Sequence, residues 1–248
     1  MFRSVMKLCV LFALLWLSQY SLAQSSPRVV IDFNKDWKFR LEDSAAVIDP
    51  FDPSALRTVN LPHDWSIESN FSKKFPATSQ GGALPGGIGS YQKTFELPAN
   101  GRGKNVSIEF DGVYRNCEVW INGNYLGKRP NGYISFHYDL TSYINYAPSK
   151  NMIVVKVDNS QQPNSRWYTG SGIYRDVKLE LTIPYASVAR SGTFITTYDI
   201  SKKEAYVNIV TVLSSTTEGE KSISIRNEIP MTAISAIIKA SILRIPRR

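Results

Sequence analysis

Short runs of alternating apolar and polar residues, each closed by a turn signal, recur along most of the chain and leave almost no room for helices. Val106, Ile108 and Phe110 alternate with Ser107 and Glu109 and lead into Asp111-Gly112. Cys117, Val119 and Ile121 share one face of the next run. Asn122-Gly123 follows, the dipeptide best suited to the positive backbone angles of a type I′ hairpin, and Tyr125-Leu126-Gly127 returns. The runs 134–138, 152–157 and 177–183 add further strands, and the only helix candidate before residue 185 is one turn near Leu140 to Ile144. A period of two places alternate side chains on opposite faces of a sheet. Many short strands without intervening helices predict an all-β antiparallel sandwich and exclude a parallel α/β sheet.

The formal net charge of +8 over 248 residues invites a nucleic-acid or membrane partner. That excess sits at the two ends. Met1 to Ala23 pairs a short basic start, Arg3 and Lys7, with an apolar stretch from Leu8 to Leu17 and the small residues Ser21 and Ala23 before a cleavage point. This is the pattern of a secretory signal peptide, and its apolar run is too short to span a bilayer. No Cys follows the cut, which argues against a lipoprotein anchor. Lys239, Arg244, Arg247 and Arg248 supply the rest of the excess. The body between is near neutrality, so no nucleic-acid partner and no stable membrane insertion are expected. The localisation expected is periplasmic or extracellular.

Of the two cysteines, Cys9 leaves with the signal peptide, so the mature chain has no internal disulfide. Cys117 reads as a small buried apolar residue rather than a reactive thiol.

A second unit begins near Ser187. Thr193 to Thr197, Ala205 to Leu213 and Lys221 to Asn227 are three strand-like runs, fewer than the roughly seven strands of an immunoglobulin-like sandwich. From Ile229 the composition shifts to Ile and Ala, ending in Pro-Arg-Arg. Ile234, Ile237, Ile238 and Ile242 would line one face of a basic amphipathic helix, a membrane-surface reading; the plainer reading is that the strand pattern stops with the domain unfinished. The expected organisation is a signal peptide at 1–23, a sandwich at 24–184, a partial immunoglobulin-like domain at 185–228 and an aberrant tail at 229–248. An uncovered half-domain exposes strand edges, so limited proteolysis is expected to trim the chain towards residues 183 to 190.

Seven short motifs occur in series: Asp36-Trp37-Lys38-Phe39; Val59-Asn60-Leu61-Pro62-His63-Asp64-Trp65-Ser66-Ile67; Gly89-Ser90-Tyr91-Gln92-Lys93-Thr94-Phe95; Phe110-Asp111-Gly112-Val113; Val119-Trp120-Ile121-Asn122-Gly123; Asp139-Leu140-Thr141; and the run from Arg166-Trp167-Tyr168-Thr169-Gly170-Ser171-Gly172 to Val177. Together they resemble the N-terminal sugar-binding domain of glycoside hydrolase family 2, which contains β-galactosidases, β-glucuronidases and β-mannosidases. The resemblance runs from about Val30 to Ile183. It implies a galactose-binding-like jelly-roll sandwich, then an immunoglobulin-like domain, then a (β/α)8 barrel, and a β-glycoside, galactoside-like, as partner. In that family both catalytic carboxylates come from the barrel. A retaining glycosidase holds its two carboxyl groups about 5 to 5.5 Å apart. No residue of this chain is assigned a catalytic role. The barrel's Asn-Arg-x-x-His-Tyr-Pro stretch is absent, and Asn227-Glu228 is read as a chance copy of the acid/base dipeptide because the flanking Trp or Gly is missing. The chain alone is expected to leave nitrophenyl glycosides uncleaved. No cofactor is expected.

Sugar sites combine aromatic platforms with planar polar groups. The loop from Asp158-Asn159 into Arg166-Trp167-Tyr168 offers that mixture, as does Asp64-Trp65; in the resembled family the former edges the sugar pocket. The candidate carbohydrate-binding residues are therefore Asp64, Asn159, Arg166, Trp167 and Tyr168. Each has a structural alternative: Trp65 and Trp167 as domain-interface anchors, Arg166 paired with a buried carboxylate, Asp158-Asn159 as a turn cap. The better-known β-galactosidase branch carries an Asp, contacting galactose and sodium, where Ser165 stands here, so no metal site is carried over. Gly170 and Gly172 bracket a tight turn. The glycine-rich stretch from Gly81 to Gly87 reads as a flexible loop, either reaching toward an active site or serving as a simple connection. Three readings follow: the N-terminal part of an exported family 2 glycosidase cut short, a stand-alone carbohydrate-binding module, or a nonfunctional product.

Overall fold

The structure, a computed structural model, describes residues 28–42, 49–97 and 101–218 and the single positions 223, 225 and 227. The signal segment, the tail from 229, Glu228 and most of the run 221–227 lie outside them. The strands are β1 (Arg28–Asp32), β2 (Trp37–Glu42), β3 (Arg57–Val59), β4 (Gly87–Phe95), β5 (Asn105–Phe110), β6 (Cys117–Ile121), β7 (Asn124–Arg129), β8 (Phe136–Asp139), β9 (Asn151–Asn159), β10 (Val177–Thr182), β11 (Ser187–Tyr198) and β12 (Tyr206–Ser214).

β1 to β10 form two antiparallel sheets. One has the order β1-β10-β5-β8, the other β3-β2-β4-β9-β6-β7. From β4 onward the chain passes back and forth between the sheets, which gives a jelly-roll path. Alternation decides which face is buried. Val106, Ile108 and Phe110 of β5 and Val177, Leu179 and Leu181 of β10 face Cys117, Val119 and Ile121 of β6 and Ile153, Val155 and Val157 of β9, all buried. Trp37, Phe39 and Tyr91 add the largest side chains to this core. Each such side chain contributes about 1.5–3 kcal/mol when fully buried. Cys117 is fully buried, and desolvation pushes its thiol well above the usual range.

The hairpin turn between β6 and β7 has Asn122 at φ +49° and Gly123 at φ +81°, the geometry its sequence predicts. The helix candidate at 140–144 is a single 3-10 turn, Thr141–Tyr143. β8 starts two residues later than the alternation predicts. The Asn131 side chain accepts the backbone N–H groups of Tyr133 and Ile134 at 2.8 and 3.4 Å and holds that stretch as a turn. The outer face of the larger sheet is partly covered by residues 49–54. Phe51 packs edge-on against Trp120, and Gln92 and Arg40 donate to carbonyls of Pro50, Asp52 and Ser54.

β11 and β12 pair as a hairpin with a bulge between Val188 and Thr193. Its root is fastened to the smaller sheet: Arg190 bridges Glu109 and Glu180, and Asn105 and Thr216 exchange hydrogen bonds. Phe194, Ile195 and Ile200 are exposed further out. The Glu180 side chain is only 10 % exposed, so removing its cation leaves a nearly buried carboxylate. In limited proteolysis, Arg190→Met is expected to speed cleavage between residues 183 and 190 about tenfold, as befits a partly buried ion pair worth about 1–2 kcal/mol. Equal cleavage rates would show that the bridge does not hold the hairpin. No helix among the described residues is long and apolar enough to cross a membrane.

Candidate functional site

Asp64 is held between two inward-pointing neighbours. Residues 63–65 run beside 171–173, with His63 N donating to Ile173 O at 2.8 Å and Trp65 N to Ser171 O at 3.1 Å. His63 and Trp65 are buried in the sandwich, and Asp64 between them is half-buried and faces the loop at 168–171. Trp65 is 2 % exposed, stacks on Phe39 and donates its indole N–H to Gly86 O at 3.0 Å. It belongs to the core, so the domain-anchor reading does not apply to it.

Asp64 Oδ1 accepts the backbone N–H groups of Ser66 and Ser171 at 3.0 and 2.9 Å, and Oδ2 accepts the Tyr168 hydroxyl. A carboxylate has about four acceptor positions, so one stays available to a further donor. Burial and the Asp64 carboxylate push the Tyr168 hydroxyl well above its usual range, which keeps it a donor.

Asn159 lies at the end of β9, 2 % exposed beneath the loop. Its amide donates to Gly170 O and Ser171 Oγ at 3.2 and 2.7 Å, and its oxygen accepts from Gln162 and Asn164 at 3.0 and 2.7 Å. All four of its hydrogen-bonding positions are filled. A sugar hydroxyl reaches it only by displacing one of these partners. Asp158 caps the turn, accepting the Ser160 N–H at 3.0 Å. Arg166 is exposed and forms no pair with a carboxylate among the described residues, unlike the paired alternative drawn from sequence. Trp167 is 61 % exposed, with its indole N–H donating to the Tyr133 hydroxyl at 3.1 Å.

The structure therefore brings Trp167 and Tyr168 to the lining of one cleft, ties Asp64 to it through the Tyr168 hydroxyl, and places Asn159 at its floor. Ser66, Pro85, Gln162 and Ser171 are among the other residues that line it. Sequence reasoning missed Ser66 and Ser171. Ser66 Oγ donates to Pro85 O at 2.6 Å and is in hydrogen-bond contact with Ser171 Oγ at 2.7 Å, tying three loops together. The only signal for them was their place inside the motifs that also hold Asp64 and Tyr168. The glycine-rich stretch differs from a flexible connection: Trp65 and Ser66 bind the carbonyls of Gly86 and Pro85, and Gly82 lies 3.5 Å under the Tyr168 ring as measured to a notional Cβ. Among the described residues no cluster of His, Cys, Asp and Glu has the grouping to hold a metal ion.

Behind Asp64, His63 joins Tyr91 at 2.7 Å through Nδ1 and Glu68 at 3.1 Å through Nε2, and Glu68 also pairs with Arg57. The arrangement that pairs every group has the Tyr91 hydroxyl donating to Nδ1 and Nε2–H donating to Glu68. Burial lowers the pKa of His63, against the opposing pull of Glu68. The folded chain then binds this proton less readily than the unfolded chain. Stability is expected to be level above about pH 6.5 and to fall as pH drops below it, towards the lowered folded value. In denaturant titrations at pH 7.5 and 5.5, His63→Gln should be less stable than wild type at pH 7.5 and show a smaller loss on acidification. An unchanged pH slope in the variant would contradict this.

Residues 30–184 match the family model described as glycosyl hydrolases family 2, sugar binding domain. The chain is 48% identical over 201 residues to the β-galactosidase BoGH2A of Bacteroides ovatus, covering 81% of this chain and 23% of that protein. It is 30% identical over 226 residues to a β-glucuronidase of Formosa agariphila, covering 83% and 23%. The crystal structure of a β-glycosidase from Bacteroides vulgatus superposes with a TM-score of 0.71 at 44% identity, covering 77% of this chain and 25% of that one. The chain thus spans about a quarter of the length of these relatives.

Proposed function

Since the chain belongs to glycosyl hydrolase family 2 and carries that family's sugar-binding domain at residues 30–184, we propose that its sandwich presents one wall of a β-glycoside pocket, with the catalytic carboxylates outside the sandwich. The observation that supports this is a cleft lined by Tyr168 and the exposed Trp167, with the Tyr168 hydroxyl bonded to the Asp64 carboxylate beside it. A carboxylate with a spare acceptor position takes a sugar hydroxyl, while an indole face takes the apolar C–H side of a pyranose. One wall encloses a ligand poorly, so the affinity expected of the chain alone is millimolar or weaker. The reading includes export, on the strength of the signal features from Met1 to Ala23.

A galactoside is the preferred sugar in this reading, because the relative at 48% identity is named a β-galactosidase; the β-glucuronidase relative makes a uronoside the competing choice. Saturation-transfer NMR of the full chain against methyl β-galactoside, methyl β-glucuronide and methyl β-mannoside tests it. Binding of the galactoside is expected, weakened severalfold in Tyr168→Phe, which leaves Asp64 without that donor. Absence of transfer to every glycoside would overturn the proposal; preference for the glucuronide would overturn its sugar assignment.

A further inference from the structure

Tyr133 reaches Trp167, at the edge of the cleft, from a turn far away in sequence, and nothing in the motif series points to it. It is 48 % exposed, beside Trp167 at 61 %. Exposed aromatics on a surface are ordinarily free to swing; these two are held. Trp167 donates its indole N–H to the Tyr133 hydroxyl, and the Tyr133 ring packs edge-on against Tyr114 with centroids 5.4 Å apart. The turn beneath Tyr133 is fastened as well. Asn131 accepts its N–H, Tyr174 donates to Gly132 O at 2.8 Å, and the Gly132 backbone lies so close to the Tyr114 ring that an added Cβ would sit 2.2 Å from it. Tyr114 in turn donates to Asn164, which donates to Asn159 under the cleft. Ring packing on Tyr114 and then two hydrogen bonds therefore link the Tyr133 turn to the floor of the sugar cleft, and Trp167 lines that cleft.

Two large aromatic side chains, fixed before any ligand arrives and open to solvent, lose little entropy on binding. Their rings offer apolar faces. The indole N–H, the one polar group of Trp167, is already engaged with the Tyr133 hydroxyl, which suits its ring to C–H stacking rather than hydroxyl recognition. We propose that Tyr133 and Trp167 form a second sugar subsite, taking the apolar face of the pyranose linked to the ring held at Asp64. This rests on the reading of the cleft as a sugar site. The ligand class it defines is a β-linked disaccharide or longer chain rather than a monosaccharide.

The test compares each methyl glycoside with a disaccharide carrying the same terminal ring: methyl β-galactoside with lactose, and methyl β-glucuronide with the glucuronyl-β-1,3-N-acetylglucosamine disaccharide. Affinities come from NMR titrations of the full chain. The disaccharide of the preferred sugar is expected to bind about fivefold tighter, as an aromatic platform provides. Trp167→Ala and Tyr133→Ala should each remove the disaccharide's advantage, and Tyr133→Ala should leave the binding of the methyl glycoside itself within about twofold. Tyr133→Phe, which keeps the ring and loses only the acceptor for the indole, should retain most of the advantage. Circular dichroism of the variants checks that these surface changes leave the sandwich folded. Equal affinity for monosaccharide and disaccharide, or an advantage that survives both alanine variants, overturns the subsite while leaving the cleft reading intact. Failure of both methyl glycosides and both disaccharides to bind overturns the cleft reading and the subsite with it.

Discussion

Replacing Asn159 with alanine is expected to destabilise the chain by about 3 kcal/mol, while Arg166→Ala, seven residues away, leaves stability within about 0.5 kcal/mol. The contrast comes from what each side chain touches. The Asn159 amide is buried and serves four partners, Gly170 O, Ser171 Oγ, Gln162 and Asn164. Its removal leaves the Gly170 carbonyl without that donor and releases the side chains that hold the loop from 160 to 171. A buried polar group left without its partner costs about 1–3 kcal/mol, and losses within one network do not simply add. For a domain of this size, 3 kcal/mol corresponds to a fall in melting temperature of roughly 6–12 °C. Arg166 is exposed, so its truncation removes no buried contact. Thermal melts of the two variants beside wild type decide the matter, and similar melting temperatures for all three would show that Asn159 does not anchor the loop.

Gly172→Ala is expected to be more damaging still, costing about 3–5 kcal/mol or preventing accumulation of folded chain. Gly172 has φ +123°, a conformation that side-chain-bearing residues rarely adopt. An added Cβ would lie 2.4 Å from the Tyr91 hydroxyl and 2.7 Å from the His63 carbonyl oxygen. The first neighbour is a buried ring bonded to His63, and the second is backbone, so neither yields cheaply. Gly172 also exchanges backbone hydrogen bonds with Tyr114 at 2.9 Å in both directions. Shifting it therefore disturbs the Asp64 loop and the Tyr114 support together. Chemical denaturation measures the effect; a loss under 1 kcal/mol would mean that the turn relaxes around a methyl group.

The sheets were legible because a period of two leaves a plain trace. Val106, Ile108 and Phe110, or Cys117, Val119 and Ile121, read directly as one buried face, and Asn122-Gly123 fixes the hairpin by its backbone angles alone. The loops were legible only as composition. Trp65 and Trp167 both sit in polar motifs, yet one is buried against Phe39 and the other stands in solvent. Local pattern did not separate them, because the pairing of residues 63–65 with 171–173 decides which side chains turn inward. Asn159 and Asp64 were grouped as sugar contacts on chemistry. Tertiary hydrogen bonding then occupies every position of the first and leaves a position open on the second. Tyr133 was invisible for a related reason. It joins Trp167 across 34 residues of sequence, through a turn whose Asn131 cap also displaces the start of β8.

The account stands most directly on where a sugar touches this chain. Backbone and indole N–H chemical shifts of the 15N-labelled full chain, followed during titration with methyl β-galactoside and methyl β-glucuronide, report that contact residue by residue. Shifts concentrated at Asp64, Thr169 and Ser171 and at the Trp167 indole N–H are the expected result. Shifts confined to a second open groove, lined by Leu41, Arg57 and Glu68, or no shifts up to the solubility of either sugar, would contradict it.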